Sequence, residues 1–216
     1  MIEHTDITIL GTTTLKNKLG ITDREQLAIA EADFTAFRLA ELRTAPIRGG
    51  FDSSHLQEIH HHVYQDLYDW AGELRRVDAD NRPASEVARS LDAVFDRLGR
   101  ENHLKGHGSE EWSHRASAYI YDLGAIQPFL AGNEVALREF AAELANKNNL
   151  GLQWDTVPGN STNDVMRQIG QSEQSANIRR MVMLAMDTDP CSLRPTRGSV
   201  VEREIDRLFS GVSRIP

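Results

Sequence analysis

Gln127-Pro128-Phe129-Leu130-Ala131-Gly132-Asn133-Glu134-Val135-Ala136-Leu137-Arg138 leaves an apolar helical stretch, turns on glycine and asparagine, and enters a second helical stretch. Such a corner aims the free backbone N–H groups of a helix start at one point, where an anion can sit. The plainer reading is a helix corner with Pro128 and Gly132 as punctuation, because short motifs are weak evidence alone.

Helical periodicity continues in both directions. Upstream, Trp112, Ala116, Tyr119, Ile120 and Leu123 recur at helical spacing after Ser109, and downstream Leu137, Phe140, Ala141 and Leu144 do the same. Ser85 or Ser90 opens a helix with Val87, Leu91, Val94 and Leu98 inward. Another begins at Ser53 or Ser54, turns Leu56, Ile59, Val63, Leu67 and Trp70 inward, and is expected to end at Gly72. Thr22 and Glu25 read as a capping box for a helix over 23–42, with Leu27, Ala30, Phe34 and Phe37 as its buried stripe. Weaker helices are expected over 161–186 and 199–211. Only Glu73-Leu74-Arg75-Arg76-Val77-Asp78 alternates like a strand, and its return arm would be the short 79–84. The class is all-α.

Composition narrows the function. The chain has 216 residues, with 24 Lys plus Arg against 32 Asp plus Glu and a net charge of −8. No basic block offers the clustered cations that phosphate neutralisation needs, so direct nucleic-acid binding is not expected. Cys191 is alone and calls for no oxidising compartment. No stretch is apolar enough to span a membrane or lead a chain into one, which makes the cytoplasm the expected location.

Several groups that invite chemistry are set aside. His60, His61 and His62 point about 100° apart on a helix and cannot converge on one metal ion, so with His55 they read as solvated or interface residues. His103 and His107 lie in a glycine-rich stretch and read as exposed; Met181, Met183 and Met186 read as core filling. No metal site is expected.

The corner resembles the signature of Fic proteins, His-x-Phe-x-(Asp/Glu)-Gly-Asn-Gly-Arg-x-x-Arg, in Pro128, Phe129, Gly132, Asn133 and Arg138. Gly11-Thr12-Thr13-Thr14-Leu15-Lys16-Asn17-Lys18-Leu19-Gly20-Ile21 is similar to the opening of toxin-type members. His55 to His60, Val63 to Arg75, Glu101-Asn102-His103-Leu104 and Leu137-Arg138-Glu139-Phe140 also fall in family order, so the likeness covers most of 10–186. It implies a Fic-type helical bundle over 1–187 with a short β-hairpin flap at Leu74, Arg75, Arg76 and Val77 that docks target proteins. A loop and helix over 188–216 would pack on the same domain.

The family transfers a nucleotide, usually AMP from ATP, to a protein hydroxyl. Its histidine takes the hydroxyl proton, its acid holds Mg²⁺, and its Gly-Asn-Gly turn and arginine hold phosphate. This chain departs at most of those positions. Gln127 replaces the histidine, and an amide accepts no proton near neutral pH. Ala131 replaces the acid, and Glu134 replaces the second glycine with a like charge that repels phosphate by about 1 kcal/mol in water at about 4 Å. Val135 replaces the first arginine, while Asn133 is left to meet an anion. The resemblance with these departures implies a pseudo-enzyme that needs no cofactor and works through a protein partner such as a small helical antitoxin, reached at Arg138. The alternative is an AMP transferase of divergent mechanism that uses ATP and Mg²⁺.

Overall fold

The computed structural model describes residues 7–78, 83–154 and 174–186. Helix α1 is Arg24–Thr44, α2 is Ser53–Tyr64, α3 is Val87–Arg100, α4 is Ser109–Ile126, α5 is Asn133–Lys147 and α6 is Gln174–Ala185. Among the described residues β-structure is confined to two isolated bridges, Thr8 with Leu15 and Leu152 with Met186. The all-α class stands. No described helix is long and apolar enough to cross a membrane.

Helix α4 is the spine. It packs against α6, α3 and α5, while α2 lies across α5, α1 and α3. The apolar stripes explain why: Leu56, Ile59, Val63 and Leu67 of α2 and its exit are fully buried, as are Trp112 of α4 and Ala136 of α5. Each such large side chain contributes about 1.5–3 kcal/mol on leaving water.

Several expectations need correcting. The cap of α1 is Asp23, whose carboxylate accepts from the Gln26 N–H, so the capping box set on Thr22 is one residue early. Phe37 is 60% exposed rather than buried. Helix α2 stops at Tyr64, well before Gly72, and Trp70 is only partly buried. Gly72 does take the left-handed conformation (φ +84°), but it closes the loop after the helix. Met183 faces solvent, unlike Met181 and Met186. Leu74 to Val77 has no strand partner among the described residues, and most of the expected return arm lies outside them. So do Cys191, the helix expected over 199–211 and the 188–216 appendage; of the 161–186 helix, only Gln174–Ala185 is described.

Candidate functional site

The corner is built by ending α4 abruptly and starting α5 at once. Gln127 caps α4 in the left-handed region (φ +50°), which a residue with a Cβ visits only at a cost. Its side chain folds back: Nε2 donates to Gly124 O at 2.9 Å, and Oε1 accepts from Asn133 Nδ2 at 3.4 Å. Gly132 caps α5 at φ +73°. A Cβ there would lie 2.4 Å from two carbons of the Tyr64 ring, so the turn needs glycine for conformation and for space.

Asn133 locks the turn from inside. Its Oδ1 accepts from the Phe129 N–H at 2.9 Å and its Nδ2 donates to Phe129 O at 2.9 Å. The side chain is buried, and both ends of its amide are engaged within the loop. Asn133, expected to meet an anion, uses its amide here to hold the shape of the turn.

Two long-range ties hold the corner to the chain after α2. The Arg75 N–H donates to Pro128 O at 2.9 Å. Its guanidinium donates to Gln127 O at 2.7 Å, to Ile126 O at 3.2 Å and to Val77 O at 2.8 Å. Arg75 thus puts a cation on the carbonyl end of α4, where the helix dipole favours one. It is 6% exposed, so the side chain assigned to the target-docking flap is turned inward. Leu74 is partly buried against the core, while Arg76 is exposed and paired with Glu73.

The second tie is His60, which spacing alone had put among solvated histidines. It is fully buried. Its ring stacks on Phe129 at 3.8 Å between centroids and 16° between planes. Its Nε2 lies 3.0 Å from Ala131 O, and its Nδ1 takes the Gly72 N–H at 2.9 Å. A carbonyl only accepts and an amide only donates, so the ring is neutral with its proton on Nε2. Burial pushes its pKa down to about 4, against the pull of the Ala131 carbonyl. His55 is buried too, with Nε2 2.8 Å from Glu143 Oε2, close but not aligned as a hydrogen bond. The sequence carried the signal for both: His60 is four residues after Leu56 and three before Val63, and His55 is four before Ile59. His103 is half-buried against Phe51, 5.9 Å away.

The Tyr64 ring lies over the turn at Gly132. Burial drives the Tyr64 hydroxyl pKa strongly up, with Glu134 and Glu31 adding to the rise and Arg138 opposing it. Tyr68 donates to Glu31 Oε1. Farther along α5, burial raises the Glu139 pKa to about 7, helped by Glu143 and opposed by Arg43 and Arg138. Val135 packs partly against the core, and Ala131 offers only its backbone. Among the described residues no three His, Cys, Asp or Glu stand where they could hold a metal ion.

The corner and the bundle that carries it have known counterparts. Over 151 residues the chain is 36% identical to the protein adenylyltransferase VbhT of Bartonella schoenbuchensis, covering 68% of this chain and 32% of that protein, so it spans about a third of that relative. It is 32% identical over 152 residues to the probable protein adenylyltransferase Fic of Salmonella typhimurium, covering 68% of this chain and 75% of that one. In fold it is similar to the BepC effector protein of Bartonella tribocorum, solved with bound AMPPNP, at a TM-score of 0.78, 20% identity and coverage of 85% and 97%. The Fic/DOC profile matches residues 50–145, which take in α2, the Arg75 and His60 ties and the whole corner. With that match over the corner and a relative covered along most of its length, the chain belongs to the Fic/DOC family.

Proposed function

We propose that this Fic-fold chain has given up nucleotide transfer and acts by binding a protein partner. The observation that carries the reading is the state of Gln127 and Asn133. The amide at the family's base position is bonded back to Gly124 O, and the asparagine of the turn has its amide bonded to the Phe129 backbone. Neither is disposed to take a proton or hold a phosphate. Ala131 supplies no carboxylate for Mg²⁺, and Glu134 brings a negative charge to the first turn of α5, where a triphosphate would lie. This donor set does not suit a magnesium triphosphate. His60 does not substitute as a base, since both of its ring nitrogens are engaged.

The partner we favour is a small helical protein of the antitoxin kind that reaches Arg138. Labelled ATP added to the protein with a host lysate tests the reading: no labelled target is expected, and robust labelling overturns it. A second reading, transfer of AMP by a divergent mechanism, draws support from relatives that are named protein adenylyltransferases. Micromolar binding of Mg-ATP, seen as a thermal shift, would favour it.

A further inference from the structure

Helix α6 buries one side only. Ile178, Met181, Val182 and Ala185 are buried where α6 packs on α4. Arg180, Met183 and Leu184 face out, with Met183 46% and Leu184 50% exposed. At about 100° per residue these three lie opposite the buried four. Beside them Arg179 is poorly met. Its Nε is buried with no hydrogen-bond partner among the described residues, and its Nη2 stands 3.9 Å from Glu110 Oε1, beyond hydrogen-bond reach. An open pocket lies between Arg179 and the first turns of α4, lined there by Gly108, Ser109, Glu110, Glu111 and His114. A buried guanidinium N–H without an acceptor is costly, so this face calls for an apolar cover that also carries acceptors.

We propose that the outer face of α6 seats the chain's own segment 199–212 as an amphipathic helix. The sequence runs to it directly from the end of α6. Residues 187–198, with Pro190, Pro195 and Gly198, read as a connector, and Ser199-Val200-Val201-Glu202 has the capping-box pattern of a helix start. From there Val201, Ile205, Leu208, Phe209 and Val212 recur at helical spacing as one apolar stripe. Glu202 and Glu204 fall on its two borders, and Arg203 and Arg207 on the far side. An apolar stripe bordered by acids complements a face that offers Met183 and Leu184 beside Arg179 and Arg180, and guanidinium–carboxylate pairs are among the stronger contacts. The other helix with large outward apolar residues suits it less: on α1, Ile29 lies four residues from Glu25 and from Asp33, and Phe37 four from Asp33, so acids would meet acids. Extended, 187–198 spans about 40 Å against about 18 Å for the length of α6, so the segment can fold back along the helix it follows. Seated, it hides Met183 and Leu184; displaced, it leaves an apolar and basic face open to another protein. This stands apart from the protein-binding reading, since it concerns α6 and not the corner.

The test is oxidation of the full chain by hydrogen peroxide, read by mass spectrometry at Met183, with the buried Met181 as internal standard and light scattering for the particle mass. In the unaltered chain Met183 should oxidise within about threefold of the Met181 rate, because the segment covers it. Ile205→Glu with Leu208→Glu should speed Met183 about tenfold and leave Met181 slow. Glu202→Lys with Glu204→Lys should speed it about threefold, through the lost pairs to Arg179 and Arg180. All four substitutions lie outside the described bundle, and a slow Met181 reports that the bundle stays folded. The inference is overturned if Met183 of the unaltered chain oxidises like an exposed thioether, or if either double variant leaves its rate unchanged. A mass of two chains, with Met183 oxidising faster on dilution, would put a second copy's segment on the face and overturn the intramolecular seat.

Discussion

Changing pH should expose two opposed groups, the buried His60 and the half-buried Glu139, that nearly cancel in the native protein. His60 is held neutral, with a pKa of about 4 in the fold against 6.5 unfolded. A depressed histidine gives stability that is present above pH 6.5 and lost as pH falls towards about 4. Between about pH 7 and about pH 4.5 the loss is about 2.5 kcal/mol. Glu139 runs the other way. Its folded pKa of about 7 exceeds its ordinary 4.5, so its ionised form costs stability above that range and the cost is relieved as pH falls. Over the same interval the relief is also about 2.5 kcal/mol. Urea denaturation of the wild type, Glu139→Gln and His60→Phe at about pH 7, 5.5 and 4.5, each referred to its own neutral value, reads the two separately. Relative to wild type, Glu139→Gln should lose about 2 kcal/mol more on acidification and His60→Phe about 2 kcal/mol less, since exposed carboxylates contribute alike to all three. Curves parallel within about 0.5 kcal/mol would refute the assignment of a neutral, doubly bonded His60 or a desolvated Glu139.

Three further expectations concern the corner. Gln127→His alone should remain silent with labelled ATP, because Ala131, Glu134 and Val135 each still withhold a separate contribution; labelling by that single variant would show that the base was the only deficit. Arg75→Ala should destabilise the protein by about 2 kcal/mol, measured by urea melts, since it strips three part-buried carbonyls of a donor, and a change below about 1 kcal/mol would mean that the tie is incidental. Asn133→Ala should cost about 2 kcal/mol and loosen the backbone of residues 127–133 in hydrogen exchange, whereas unchanged protection would mean the amide is not the lock.

The bundle was legible because α2, α4 and α5 each carry an apolar stripe at helical spacing, and burial follows those stripes residue by residue. What escaped were features that periodicity does not weigh. A histidine scores as polar, so His60 was read for its charge and not for its place four residues after Leu56, where an aromatic ring with two satisfied nitrogens packs as well as a leucine. Thr22 and Asp23 are equally good caps by composition, and geometry chose Asp23, one residue later. Gly72 signalled a left-handed residue correctly, but the spacing could not tell a helix end from a loop folding back on His60. At the corner, the missing side chains were plain from the sequence. The use of Asn133 and Arg75 as internal fasteners was not, because it depends on backbone atoms that the sequence does not place.

Those fasteners act over two very different spans. Gln127 to Gly124 and Asn133 to Phe129 close within three and four residues, whereas Arg75 reaches 52 residues along the chain and His60 reaches 71. The short closures can form early, at little entropic cost, while the long ones must wait until α2 has docked on α5. The corner is therefore assembled last, although its sequence looks self-contained. A peptide cut from residues 109–147 should keep helical content and lose the fixed turn. Order at the corner then reports on completion of the whole domain, which makes the Phe129 amide a natural place to watch folding finish.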